Sequence, residues 1–225
     1  MRFIVKFMNI AVLTMLIGIP TLSRSEELSA PQESSIAKEL TVSVAQIDEH
    51  TAIKPFVDAG ENFCNILEII ADDFDLLFNI VGGAENLTLF RKHFFLCFHP
   101  GYNNFINKKT SDGLPLETAV IEHNNKIVGF VSFYLKEPTI GWINMIGVSK
   151  EHRGKGYAQV LMKYAMDALY NQAGVTEVGL YVKKENIPAQ TLYKKLGFIE
   201  DHSPSEALYV YKHTKPVADL EKVLE

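Results

Sequence analysis

Cysteine is scarce in this chain: Cys64 and Cys97 are the only two in 225 residues. Two thiols cannot build a disulfide framework or a four-ligand zinc site, and both stand in apolar surroundings that read as buried free thiols. An excess of positive charge is missing as well. Against 27 Asp and Glu there are 22 Lys and Arg, a net charge of −5, so no nucleic-acid partner is indicated. Internal repeats and low-complexity tracts are absent. Two phosphate-binding signatures are absent too. A Walker-type loop requires GxxxxGK[ST], and Gly156 is followed by Tyr157; a dinucleotide fingerprint requires a third glycine where Gln159 stands. His93 and His99 are lone histidines that read as surface or capping residues, and no metal site is expected.

What is present suits a folded globular protein, with 47% hydrophobic and 22% charged residues and a length fitting one domain plus an appendage. The appendage is N-terminal. Arg2 and Lys6 precede an uncharged stretch from Phe7 to Ser23 that contains IAVLTMLIGIP, followed by small residues suited to cleavage. This is the layout of a secretory signal peptide. The apolar run is short against the roughly 20 residues of a full span. An uncleaved anchor touching the membrane through residues 7–23, or a true start at Met8 or Met15, are the alternatives. The chain then divides into a signal-peptide-like or anchor segment (1–25), a polar linker (26–39), a domain (40–215) and a charged tail (216–225).

Within the domain, apolar alternation predicts a strand over 40–47, with a turn from Asp48 to Pro55. Phe63, Leu67, Ile70, Phe74, Leu77 and Phe78 recur at helical spacing. A second helix over 85–98 carries Leu87, Phe90, Phe94 and Phe98 and stops at His99-Pro100-Gly101. Residues 101–115 read as a loop. Strands over 116–122 and 127–135 form a hairpin turned at His123 to Lys126, and another strand covers 140–148. The next helix has an apolar stripe of Val160, Leu161, Tyr164, Ala165, Ala168 and Leu169 and a stop at Gly174. A strand over 175–182 follows, then a short helix capped by Asn186 with Pro188 in its first turn and Gly197 at its end, and a closing strand over 207–212. This order implies an α/β fold: a mixed central sheet of about six to seven strands with helices on both faces.

The chain is organised around residues 143–158. An apolar strand end, Ile146-Gly147-Val148, leads through a polar turn into Arg153-Gly154-Lys155-Gly156-Tyr157-Ala158 and a helix. Backbone N–H groups at a helix start have no internal partners and, with the helix dipole, favour an anion. Gly154 and Gly156 allow close approach of a diphosphate, and Arg153 and Lys155 add charge. A second element follows: Asn186-Ile187-Pro188-Ala189-Gln190-Thr191-Leu192-Tyr193-Lys194-Lys195-Leu196-Gly197-Phe198. Arg153, Gly156 and Ala158 resemble the R/Q-x-x-G-x-G/A pattern of the GNAT family of N-acetyltransferases. The second element resembles that family's N-x-x-A-x-x-L-Y-x-x-x-G-F segment at each key position. The likeness covers 117–200 well, 40–116 loosely and the N-terminus not at all.

The resemblance implies the GNAT fold and transfer of an acetyl group from acetyl-CoA, as cosubstrate, to a primary amine of a small molecule, peptide or protein by a monomer or homodimer. It implies that the diphosphate lies over the N–H groups from Arg153 to Ala158. The pantetheine arm would pair with Ile146, Gly147 and Val148, on a strand splayed from its neighbour, and an N–H near Ile146 would face the oxyanion. Tyr193 would protonate the departing thiolate, and Asn186 would hold the pantetheine or shape the turn. Many members carry a glutamate on the strand before the first motif; here Trp142 to Val148 holds no acid, only Asn144. Glu117, Glu122, His123 or a water relay stay open as the base. The missing acid also leaves open a coenzyme A-binding module without catalysis, a sensor or effector. The N-terminal segment points to export or anchoring, whereas acetyl-CoA is a cytosolic metabolite.

Overall fold

Two adjacent asparagines make one of the two-residue turns of the sheet. In the computed structural model, which describes residues 45–56, 61–72, 100–202 and 204–216, Asn124 and Asn125 adopt φ of 50° and 61°. Paired positive φ values match the right-handed twist of the flanking strands, so Glu117–His123 (β3) and Lys126–Glu137 (β4) form the expected hairpin. The 1–25 segment, the 26–39 linker, the 85–98 helix, the cysteine side chains and all of the 216–225 tail but Pro216 lie outside the described residues.

Ile140–Val148 (β5) has the bounds its apolar run predicts. Ahead of the hairpin lie Ala45–Asp48 (β1), Thr51–Pro55 (β2), a helix Glu61–Asp72 (α1) and a helix Pro100–Asn107 (α2). After β5 come Tyr157–Tyr170 (α3), Glu177–Lys183 (β6), Ile187–Lys195 (α4), Ile199–Glu200 (β7) and Leu208–Thr214 (β8). The sheet has eight strands in the order β1-β2-β3-β4-β5-β6-β8-β7. Each neighbouring pair is antiparallel except β5 and β6, which are parallel across the α3 crossover. The fold class is the expected mixed α/β arrangement, with one strand more than the upper expectation.

Four local expectations are corrected. Thr51 to Pro55 is a strand rather than a turn, because Thr51 and Ile53 are buried against the sheet while Lys54 faces outward to pair with Glu122. The 101–115 loop contains α2. Pro100 opens that helix, a position where proline's missing N–H costs nothing, and Tyr102 and Phe105 are buried beneath it. The buried face of α3 is Tyr157, Leu161, Met162, Ala165, Met166 and Leu169, rotated from the expected stripe; Val160, Tyr164 and Ala168 pack at its margin. That helix ends at Asn171, and Gly174 serves a later turn at φ 91°.

The two sheet faces carry separate apolar clusters. Ile66, Ile69 and Ile70 of α1, with Tyr102 and Phe105 of α2, cover Val120, Ile127 and Phe130. On the opposite face Leu161, Met162, Ala165 and Leu169 of α3 and Tyr193 of α4 cover Val131, Phe133, Ile143, Leu180 and Tyr211. Helices therefore flank both faces, as the element order requires. Among the described residues no helix is long and apolar enough to cross a membrane.

Candidate active site

The site begins where the sheet comes apart. β5 and β6 pair from Ile140↔Glu177 to Ile143↔Leu180 and no further, although β5 runs on to Val148 and β6 to Lys183. On its other side β5 stays paired with β4 as far as Val148↔Gly129. The register shifts at the fork: Ser132 faces Met145 and Phe133 faces Ile143, so Asn144 is an extra residue in β5. A bulge bends its strand and re-aims the local backbone. The Asn144 amide donates to Ser132 Oγ at 3.1 Å, holding the bulge against β4. Met145, Ile146 and Gly147 are half-buried in this unpaired stretch. Gly147 has a packing reason of its own, since an added Cβ would fall 2.8 Å from Ile69 and 2.9 Å from Phe130.

Beyond β5 a short turn, Lys150–His152, leads to the glycine pair. Gly154 and Gly156 adopt φ of 78° and 84°, a region that disfavours side chains, and nothing lies within 4 Å of where their Cβ atoms would be. Arg153 is tied back to the strand end, its Nε donating to the Val148 carbonyl at 2.9 Å. Arg153, Gly154, Lys155 and Gly156 are all exposed. Gly156 is the N-cap of α3, and no side chain caps the helix. The first N–H groups of α3 therefore open onto the same unobstructed space as the two glycines. Tyr157 is buried and Ala158 half-buried at the foot of the helix.

α4 presents the second motif. Asn186 Oδ1 accepts from the Ala189 N–H at 3.2 Å, so this side chain is used in shaping the turn. Gln190 is buried and donates to the carbonyls of Lys183 and Lys184, pinning α4 to the end of β6. Tyr193 is 5% exposed, with ring centres 5.9 Å from Phe198 and 6.2 Å from Tyr211. Burial alone pushes its phenol well above the ordinary value, so it stays protonated over the whole physiological range.

None of the three candidate bases lies on the diverging strands. Glu122 pairs with Lys54, and His123 Nδ1 lies 2.7 Å from Thr51 Oγ1; both stand at the β3–β4 hairpin end. Glu117 is on β3, opposite Phe133 and one strand removed from β5.

Two features escaped the sequence reading. His152 lies in the turn before the glycines, with Nδ1 2.9 Å from Ser149 Oγ and its ring stacked on Tyr157 at 6.3 Å and edge-on to His123 at 5.7 Å. Burial first, then the charge of Lys155, holds its imidazole below the usual range. A histidine one residue from a predicted anion turn was the available signal. The second feature is Trp142, whose ring stands 4.9 Å from that of Tyr181 beside the fork; a tryptophan in an otherwise aliphatic strand pointed to it. Among the described residues no group of three or more His, Cys, Asp or Glu is placed to hold a metal.

Comparison with known proteins gives a consistent result. The family model described as the acetyltransferase (GNAT) family matches residues 86–198. An N-alpha-acetyltransferase of Saccharolobus solfataricus is 30% identical over 108 residues, 43% of this chain and 64% of that one, so the chain spans under two thirds of this relative's length. A spermidine N(1)-acetyltransferase of Vibrio cholerae is 27% identical over 137 residues, 56% of this chain and 77% of that one. In fold, the chain is similar to the PaiA N-acetyltransferase of Thermoplasma acidophilum, solved in complex with coenzyme A, with a TM-score of 0.55 at 13% identity over 72% of this chain and 99% of that one.

Proposed function

The chain belongs to the acetyltransferase (GNAT) family, and from that premise we propose that it transfers the acetyl group of acetyl-CoA to a primary amine. The observation that carries this reading is the end of β5–β6 pairing at Ile143↔Leu180 while both strands continue. In an intact sheet the backbone groups of Ile146, Gly147 and Val148 on the β6 side would be consumed by the ladder. Here β6 no longer covers them, and apart from the Val148 carbonyl, which accepts from Arg153 Nε, they are available to the peptide-like arm of the coenzyme. At the strand's end, the N–H groups from Gly154 to Ala158 would take the diphosphate, the Arg153 N–H being bonded to the Lys150 carbonyl, with Lys155 adding charge. The open space over Gly154 and Gly156 fits such a group.

In the transfer, the amine lone pair attacks the thioester carbonyl, a C–N bond forms, the nitrogen gives up one proton to solvent, the C–S bond breaks and the thiolate takes a proton. A backbone N–H on the unpaired stretch near Ile146 is suited to the oxyanion. Tyr193 is the proton donor on this reading. Its burial keeps the phenol protonated and makes it a weaker acid than a free tyrosine. That favours a hydrogen bond to the developing thiolate over full early proton transfer.

The absence of an acid on β5 favours a second reading, a module that binds coenzyme A without turning it over. Amine-dependent release of free thiol from acetyl-CoA separates the two. Release that needs both enzyme and amine supports the transferase; tight binding with no release under any amine supports the module.

A further inference from the structure

Three aromatic rings stand on three neighbouring strands beside the fork. Trp142 on β5 is the direct partner of Tyr134 on β4 and of Gly179 on β6. An added Cβ at Gly179 would fall 2.3 Å from the Trp142 ring, so the missing side chain is what seats the indole over β6. Tyr181, two residues further along β6, meets Trp142 edge-on at 4.9 Å. It remains 51% exposed, on the sheet face opposite the one that Val178, Leu180 and Val182 present to α3 and α4. Lys136 completes the group, its ammonium 4.1 Å from the centre of the Trp142 ring. Burial, followed by the charges of Tyr181 and Asp112, pushes the Tyr134 phenol up to about 12, so this wall of the group is neutral.

We propose that Tyr134, Trp142 and Tyr181 form the acceptor platform, and that the acceptor is a primary amine on an aromatic body, an arylalkylamine, in preference to a polyamine. The proposal rests on the transferase reading above. The last β5–β6 pairs are Trp142↔Gly179 and Ile143↔Leu180, so the rings border the point where the coenzyme's reactive end would enter. Trp142 is only 6% exposed and lies under Lys136, so the stacking area offered to a planar group is the exposed Tyr181 ring, with the indole and Tyr134 backing it. The charge pattern argues against a polycation. Lys136 already occupies the Trp142 face with a positive charge, and the remaining neighbours on this face include Ser132, Asn144 and Gly179. Asp112 is the carboxylate felt by Tyr134; Glu177, at the far end of β6, is held by Lys212 Nζ at 3.3 Å. A chain of several ammonium groups needs several such partners.

The same surroundings bear on the charge state of the amine; the proton that its nitrogen sheds after attack passes to solvent. An amine docked against aromatic rings is desolvated, and the Lys136 ammonium disfavours a second cation beside it. Both effects favour the neutral, nucleophilic form of the amine.

The test compares 2-phenylethylamine, n-butylamine and spermidine as acceptors for the full chain, following thiol release from acetyl-CoA. The expected order in kcat/KM puts 2-phenylethylamine first, at least about tenfold above spermidine. Tyr181→Ala, a change at an exposed side chain, should cut the ratio of 2-phenylethylamine to n-butylamine by about fivefold or more. Turnover in which spermidine equals or exceeds 2-phenylethylamine overturns the platform and leaves the transferase reading standing, as does an unchanged ratio in Tyr181→Ala. No turnover of any of the three, with acetyl-CoA bound, overturns the transferase reading itself.

Discussion

The two halves of β5 are both mainly apolar and differ in what they pair with. From Ile140 to Ile143 the strand is paired on both edges, and Ile143 is 3% exposed in the core between β6 and α3. From Asn144 to Val148 it keeps β4 and loses β6, and Met145 and Ile146 are only half-buried, with Val148 returning to the core at the strand's end. The first half spends its backbone groups on the ladder and its side chains on packing. The second, bent by the Asn144 bulge, has no β6 ladder along this row of backbone groups, and its Val148 carbonyl accepts from Arg153 Nε instead. An edge of this kind inside a sheet is a liability unless it is covered, and a coenzyme arm is a suitable cover.

Truncating the same side chain in each half tests the contrast most strongly. Ile143→Ala should destabilise the domain by about 2–5 kcal/mol in denaturant unfolding, the usual range for emptying a packed core site. Ile146→Ala should cost less than half as much. Equal losses would mean that the two halves are packed alike.

A smaller effect is expected at Tyr193, which is buried in the core yet is the proposed proton donor. Tyr193→Phe should lower kcat by about 10-fold to 100-fold, the low end of general acid catalysis, with the Kd for acetyl-CoA nearly unchanged. Full activity with an altered melting temperature would return Tyr193 to a packing role only.

The smallest effect concerns pH, and it falls on the paired side of the molecule. His213 Nδ1 lies 2.7 Å from the Tyr170 hydroxyl, and burial holds its imidazole below the ordinary value. The unfolded chain therefore takes up this proton first, at a pH near 6.5. The stabilisation is present above that pH and is lost as pH falls from there toward the folded value, with a slope of at most about 1.4 kcal/mol per pH unit for one proton. Melting temperatures measured from pH 7.5 to 5.5 should decline, and His213→Gln should flatten the decline. An unchanged slope in His213→Gln would assign the effect elsewhere, with His152 the next residue to test, since its imidazole is lowered in the same direction.

How much of this was legible depends on whether the signal is local. β5 could be bounded from sequence because Pro138 and Ser149 bracket an apolar run, and the Asn124-Asn125 turn announced its hairpin. Both motifs were legible as well, since Gly154 and Gly156 act through their own backbone and the Asn186 side chain caps a turn three residues away. β2 was not, because Lys54 and Pro55 give a five-residue strand the composition of a turn. α2 was missed because proline marks helix starts and helix ends alike. The fork itself has no local signature: Ile143 and Ile146 are the same residue, and only the position of β6 distinguishes them. Likewise the platform joins Tyr134, Trp142 and Tyr181 through strand register, which sequence spacing does not encode.

The central claim is that the gap beyond Ile143 and the glycine turn at its end receive acetyl-CoA, and calorimetric titration of the full chain and of Gly156→Glu tests it directly. The variant places a carboxylate where the diphosphate is expected, at a position with open space around it and a φ of 84°. Its fold is checked in parallel by circular dichroism and the unfolding midpoint. The account predicts that the native chain binds acetyl-CoA and that the folded variant binds at least about tenfold more weakly, a loss of about 1.4 kcal/mol. Equal affinity in a folded Gly156→Glu protein would contradict it.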